Sequence, residues 1–106
     1  MPRYLIEGSY SDDGTKGLLQ EGASRRRDTV AKVIEGLGGT LEAFYFTFGD
    51  RDVIVIYSAP DEITAIALSM AVNQSGKVRL TTTPLLTVED FDRAAKKNVG
   101  YRPPGA

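Results

Sequence analysis

The chain of 106 residues contains no histidine, no cysteine and no tryptophan. Without histidine it has no Ser-His catalytic triad, no usual zinc site and no histidine ligand for haem. Without cysteine it has no disulfide, no metal thiolate and no thiol nucleophile. Any chemistry must use Asp, Glu, Lys, Tyr, Arg or a bound cofactor, and since no motif points to a cofactor we expect none.

Long hydrophobic runs and an excess of one charge are also missing. Thirteen basic and fourteen acidic residues leave a net charge of −1, whereas binding to nucleic-acid phosphates needs a basic face. No stretch approaches the roughly 18 to 20 apolar residues of a membrane span, and the apolar part of MPRYLIEGSY is too short for a signal peptide. We therefore expect a cytoplasmic protein with no nucleic-acid partner and no membrane partner.

The length suits one domain, which we place at residues 1–97, with an extended tail at 98–106. Period-two apolar patterns predict strands, and apolar residues three to four apart predict helices. Pro60 precedes the second helix, Pro84 marks its strand as an edge strand, and Thr87 resembles a helix cap. The predicted strands are 3–10, 40–48, 51–57 and 77–86, and the predicted helices are 15–37, 60 to about 76, and 87 to about 97.

This order predicts an α+β ferredoxin-like fold, βαββαβ with a short additional helix. Right-handed crossovers place strands one and three at the centre of a four-stranded antiparallel sheet, with the helices on one face. A sheet covered on one face should alternate apolar and polar residues, but the third strand, with Val55 and Ile56 on opposite faces, is apolar on both. We expect a second copy of the chain to cover the other face, giving a homodimer or higher oligomer paired sheet to sheet.

Three segments carry a resemblance to the GYD domain family of small bacterial proteins, within the dimeric α/β-barrel group. They are YLIEGSYSDDGTKGLLQEG, LGGTLEAFYFTFGDRDVIVI and SGKVRLTTTPLLTVEDF, and the resemblance covers roughly residues 4–91. The family's hairpin usually reads Gly, any residue, Tyr, Asp, and here Arg51 stands in place of the tyrosine. The resemblance implies a sheet-paired dimer, and it implies no established activity; related dimeric barrels include cofactor-free oxygenases, haem enzymes and ligand-sensing modules.

The stretch FGDRD joins the second and third strands. We interpret Gly49 and Asp50 as a two-residue hairpin turn, since both residue types tolerate positive φ. The alternative is that Asp50 and Asp52 act as oxygen ligands or as a general base, although a Ca²⁺ or Mg²⁺ loop usually offers more oxygens.

Arg26 falls on the sheet-facing side of the first predicted helix. Its side chain either reaches solvent, or pairs with Glu7 on the first strand, or clamps an anionic ligand between helix and sheet with Tyr10 or Tyr45 nearby. The aromatic series Phe44, Phe46 and Phe48 could stack nucleotide bases, but without interleaved basic residues we interpret it as interface packing.

Three hypotheses for function remain open. The first is a binding module for a small acidic or aromatic molecule, with candidate ligand-binding residues Arg26, Glu7, Tyr10, Tyr45 and Asp52. The second is a cofactor-free oxygenase or isomerase whose base would be Asp52, Glu7 or a tyrosine of shifted pKa. The third is an assembly domain without a ligand, in which side chains would fill any cavity.

Overall fold

The computed structural model describes the whole chain, Met1–Ala106. It contains four strands and four helices. In chain order they are β1 (Arg3–Tyr10), α1 (Asp12–Glu21), α2 (Ala23–Gly36), β2 (Thr40–Phe46), β3 (Val53–Ser58), α3 (Glu62–Gln74), β4 (Val78–Leu85) and α4 (Val88–Ala95).

The strands form one antiparallel sheet in the order β2-β3-β1-β4. The predicted ferredoxin-like arrangement is confirmed, with β1 and β3 in the centre. Pro84 lies on the edge strand β4 opposite Tyr4, where a residue without an N–H removes no bond from a further strand.

The core lies between one face of this sheet and the helices. Ile34 of α2 and Leu68 of α3 are buried together with residues from the helix-facing side of the strands. Three cross-strand rows build that side, because alternate strand residues share a face. The rows are Leu41–Tyr57–Tyr4–Pro84, Phe44–Val55–Ile6–Thr82 and Phe46–Val53–Gly8–Leu80.

The opposite side of the sheet, which we call the free face, has no helix over it. Its central rows are Tyr45–Ile54–Glu7–Thr81 and Ala43–Ile56–Leu5–Thr83. Leu5, Ile54 and Ile56 remain partly exposed there. Strict alternation along β2 would place Leu41 on the side of Ala43 and Tyr45, but an irregularity between Leu41 and Ala43 shifts the register by one residue and turns Leu41 towards the helices.

The single long helix predicted over residues 15–37 is also wrong, since the chain forms two helices that meet at Gly22. Gly22 has φ +96°, a left-handed value that glycine adopts without steric cost. Its N–H closes α1 on the carbonyl of Leu18 at 2.8 Å. The apolar spacing ran through this position unbroken, so periodicity alone gave no sign of the break.

Helix α1 begins at Asp12, three residues before the predicted helix start at residue 15. Ser11 caps the helix by accepting the Gly14 N–H at 3.0 Å. A Cβ on Gly14 would lie 2.1 Å from the carbonyl oxygen of Lys77. The absence of a side chain at Gly14 therefore lets α1 lie directly against the chain entering β4.

Helix α3 has two polar anchors. Asp61 caps its start by accepting the Thr64 N–H at 2.8 Å, and the resulting bond to the charged carboxylate lowers the pKa of Asp61. Near the other end, the Asn73 side chain bonds the edge strand β4 at a single residue. Its Oδ1 accepts the Leu80 N–H at 2.8 Å, and its Nδ2 donates to the Leu80 carbonyl at 3.2 Å.

The predicted cap of the last helix is confirmed, with Thr87 Oγ1 accepting the Asp90 N–H at 3.0 Å. Helix α4 ends at Ala95, slightly before the predicted Lys97, and none of its residues is buried. The molecule measures 57 × 32 × 24 Å, with a radius of gyration of 17.0 Å, whereas a compact chain of this length has about 13 Å. We call residues 86–106, which project from the end of β4, the C-terminal arm. No helix in the structure has the length and apolar character to span a bilayer.

Candidate functional site

A cleft opens between α2 and the helix-facing side of the sheet. Its inner part has a volume of about 160 Å³ and is lined almost entirely by apolar side chains. They include Ile6, Val30, Val33, Phe44, Val55 and Leu68. A second, polar part of about 200 Å³ lies between α1 and the start of β4.

Three residues line both parts of this cleft, namely Tyr10, Arg26 and Val78. The polar part adds Glu21 from the end of α1 and Lys77 from the start of β4. The break at Gly22 produces this arrangement, because it sets α1 apart from α2 and leaves Arg26 at the junction. An apolar chamber thus adjoins a polar mouth that carries two cations and two carboxylates near the tyrosine, because Asp13 also lines the mouth and lies 3.9 Å from Lys77 Nζ.

Arg26 is only partly satisfied within the protein. Its Nε lies 3.4 Å from Glu21 Oε2, which is ion-pair distance, yet Nε is buried and makes no hydrogen bond. Its side chain is 31% exposed, so we assign little stability to the pair. The guanidinium is held at the cleft with hydrogen-bonding capacity that the protein does not use.

Tyr10 reaches the same junction from the end of β1. Burial raises the pKa of its phenol, and Arg26 opposes that rise while Glu21 and Asp52 add to it. The side chain is therefore a neutral hydrogen-bonding group at physiological pH. Its own backbone N–H donates to Asp52 Oδ2 at 2.8 Å, which fixes the end of β1.

The five predicted ligand residues fall into two separate groups. Arg26 and Tyr10 line the cleft, and Asp52 is joined to Tyr10 through its backbone. Glu7 and Tyr45 lie on the free face, in one cross-strand row with Ile54 between them. Of the three alternatives for Arg26, pairing with Glu7 does not occur, because alternation along β1 points Glu7 away from the helices and Arg26 pairs with Glu21 instead.

The FGDRD segment is a loop, as interpreted, but a longer one than the two-residue turn. It spans residues 47–52 and closes through the Thr47 N–H, which donates to the Asp52 carbonyl at 2.9 Å. Thr47 Oγ1 also donates to the Arg51 carbonyl, and the Asp52 N–H donates to the Gly8 carbonyl at 2.8 Å. Asp52 therefore anchors the hairpin to β1 through both its backbone and its carboxylate.

Three charged residues of the cleft, Asp13, Glu21 and Lys77, were not predicted from the sequence. Glu21 precedes the glycine at which the helix breaks, and Lys77 follows Gly76 at the entry to β4. The available signal was Gly22 itself, a residue that weakens a helix interior and is common where helices end.

Four titratable groups have shifted pKa values, and none of the shifts leads towards neutrality. Burial raises the pKa of Tyr4, Tyr10 and Tyr57, the last to about 12, and hydrogen bonding lowers that of Asp61. A general base works best with a pKa near the operating pH, and all four of these shifts lead away from neutrality. No group of three or more acidic side chains comes together in a way that could hold a metal ion.

Comparison with known proteins identifies the family. The model of the GYD domain matches residues 4–95, which is most of the chain, so the chain belongs to the GYD domain family. No curated protein gives a significant match, and no solved structure does.

Proposed function

Starting from this family membership, we propose that the chain binds a small carboxylic acid with an apolar body in the cleft between α2 and the sheet. The position of Arg26 carries the proposal. Its guanidinium lies where an apolar chamber meets a polar mouth, with a buried Nε–H that has no acceptor. Arginine is well suited to this role because its planar group pairs with a carboxylate through two hydrogen bonds.

The size of the chamber restricts the apolar body of the ligand. An apolar cavity of about 150 Å³ holds a benzene molecule, and the chamber here has about 160 Å³. A single aromatic ring or a short aliphatic chain fits this space. Arg26 and Lys77 then face the carboxylate, and Tyr10 supplies a neutral donor.

We further propose that the protein works in the cytoplasm as a homo-oligomer paired through the free face. The centre of that face is largely apolar, with Leu5, Ile54 and Ile56 beside the one charged residue Glu7, and an ion pair between Arg3 and Glu42 at 2.8 Å accompanies it. An apolar centre with polar surroundings is the usual anatomy of a protein interface.

Benzoate titration tests the ligand site. We expect benzoate to raise the melting temperature of the wild-type protein in a saturable way, since a ligand at 100 times its Kd adds about 2.7 kcal/mol to stability. Arg26→Gln should weaken binding at least about tenfold, the loss expected when one charge-assisted contact is removed. Isothermal titration calorimetry measures both affinities directly.

Arg27→Gln is the matched control, because Arg27 neighbours Arg26, is exposed and pairs with Asp28 outside the cleft. It should bind benzoate like the wild type, and benzylamine should bind neither protein. Equal affinity of the wild type and Arg26→Gln would refute the role of Arg26. Absence of binding for both benzoate and hexanoate would favour an assembly domain without a ligand.

A further inference from the structure

Helix α4 carries an apolar stripe that touches no core. At 100° per residue, Val88, Phe91, Ala94 and Ala95 fall within one arc of the helix, and its charged residues fill the remainder. Phe91 is 65% exposed and Val88 is 74% exposed. An eight-residue helix of this kind has little stability without a partner surface.

A second uncovered stripe runs along the outer side of α3. Ile63, Ile66 and Met70 are three and four residues apart and are exposed by 75%, 53% and 65%. Beside them a groove of about 290 Å³ lies between α3 and β4, with Ile66, Met70 and Pro84 among its lining residues. This helix therefore buries one side in its own core and offers another apolar side to a partner.

The two stripes do not pack on each other within one chain. Only Leu86 and Thr87 separate β4 from α4, and Thr87 is engaged in capping α4. The 57 Å long axis reflects the projection of the C-terminal arm away from the sheet and its helices.

Charge favours one orientation of the contact, because the acidic residues of α4, Glu89, Asp90 and Asp92, lie in its first five residues and its basic residues follow them. Helix α3 starts with Asp61 and Glu62 and contains no basic residue, while Lys96 and Lys97 directly follow α4. When α4 packs antiparallel to α3, Phe91 lies against Ile66 and Lys97 lies beside Glu62. The apolar stripes and the opposite charges are then in contact at the same time. Every copy of the chain carries both stripes. In a symmetric pair, α4 of each copy can therefore pack on α3 of the other.

We infer that the C-terminal arm of one subunit packs on α3 of a second copy, and that the second subunit returns its own arm in the same way. This interface is independent of the free face, because α3 lies on the other side of the sheet. Together with free-face pairing it would join dimers into larger closed assemblies.

Sedimentation velocity over a range of concentrations tests the arm contact with two exposed apolar residues. Phe91→Glu places a charge in the proposed interface, whereas Leu19→Glu places one on α1, where Leu19 is 78% exposed and belongs to neither proposed interface. We expect Phe91→Glu to weaken association at least about tenfold, as for replacement of an interface anchor, and Leu19→Glu to leave it unchanged. Equal association of the wild type and Phe91→Glu would overturn the inference.

A charge-exchange experiment separates a second copy from the protein's own chain. Lys97→Glu and Glu62→Lys should each weaken association, and an equimolar mixture of the two variants should recover it in part. If instead only the double variant within one chain restores the wild-type behaviour and mixing restores nothing, the arm closes on its own α3 and the inference fails.

The variant Ile56→Lys distinguishes association through the arm from association through the free face. Residue 56 lies on the other side of the sheet, so Ile56→Lys should leave the arm contact intact and the variant should still associate. The double variant Ile56→Lys/Phe91→Glu should no longer associate. An Ile56→Lys protein that is monomeric at every concentration would overturn the arm contact and leave free-face pairing in place.

Discussion

The two faces of the sheet use similar side chains and reach different degrees of burial. Along β3, Val53, Val55 and Tyr57 are buried under the helices, whereas Ile54 and Ile56 between them are only partly covered. Side-chain type does not cause the difference, because aliphatic residues occur on both faces. What differs is whether another layer of protein lies above them, which makes the free face the side on which a partner has most to gain.

The largest expected effect comes from placing a lysine on each face in turn. Val55→Lys buries an unpaired charge in the core and should cost more than about 4 kcal/mol of folding free energy, enough to unfold the domain. Ile56→Lys should change the stability of the isolated subunit by less than about 1 kcal/mol, since surface substitutions usually have small effects.

Urea unfolding by circular dichroism compares the two variants, with sedimentation run in parallel. The free-face proposal further requires Ile56→Lys to associate more weakly than the wild type. Equal destabilisation of the isolated subunit by both variants would show that the two faces are equally buried within one chain.

A second prediction sharpens the comparison on the covered side, where α1 must approach β4 closely. Gly14→Ala should destabilise the fold by about 3 kcal/mol, because the new Cβ would meet the Lys77 carbonyl at 2.1 Å. Gly17→Ala, in the same helix with open space around it, should stabilise by about 1 kcal/mol through helix propensity. Thermal unfolding of the pair checks this, and two changes of the same sign would contradict the close approach.

The smallest effect concerns alkaline pH and again compares a covered with an uncovered tyrosine. Burial raises the pKa of Tyr57 to about 12, and neighbouring Tyr4 adds to the rise. A raised phenol pKa favours folding while the group is protonated. Its contribution is complete below the unfolded pKa of about 10 and is lost as pH rises from there through the folded value of about 12, an effect of order 2 kcal/mol.

Tyr57→Phe should therefore flatten the fall in stability above pH 10, and at pH 7 it should be at least as stable as the wild type because the buried Tyr57 hydroxyl has no partner. Tyr45→Phe on the free face is the control and should keep the wild-type pH profile. Urea unfolding from pH 8 to 12 measures the free energy of unfolding of each protein. Identical pH profiles for the wild type and both variants would show that ionisation of Tyr57 does not contribute to the loss of stability.

Much of the architecture could be predicted because it rests on local patterns. The bounds of β1, the edge position of Pro84 and the cap at Thr87 each follow from a few adjacent residues, and the structure confirms them. The break at Gly22 could not be predicted from periodicity, since apolar spacing continued across it. The loop between β2 and β3 was predicted to be too short, because the aromatic alternation continues to Phe48, beyond Phe46, the last residue of β2 that pairs with β3.

The candidate site was harder to predict because it depends on which face each strand residue occupies. Helical spacing was enough to direct Arg26 towards the sheet. Whether Glu7 could meet it depended on which strand face turns to the helices, and a one-residue change reverses that assignment. Glu21 reaches Arg26 only because the chain turns at Gly22, so that contact was hidden as long as one helix was expected.

The bond from Asn73 to Leu80 has a consequence for unwanted aggregation. A carboxamide has the same donor and acceptor as a peptide group, so the Asn73 side chain occupies the place that one residue of a foreign strand would take beside β4. The Leu80 N–H is thereby withheld from any incoming chain, and Pro84 offers none further along. The exposed edge that remains is too interrupted to act as a template for fibril growth.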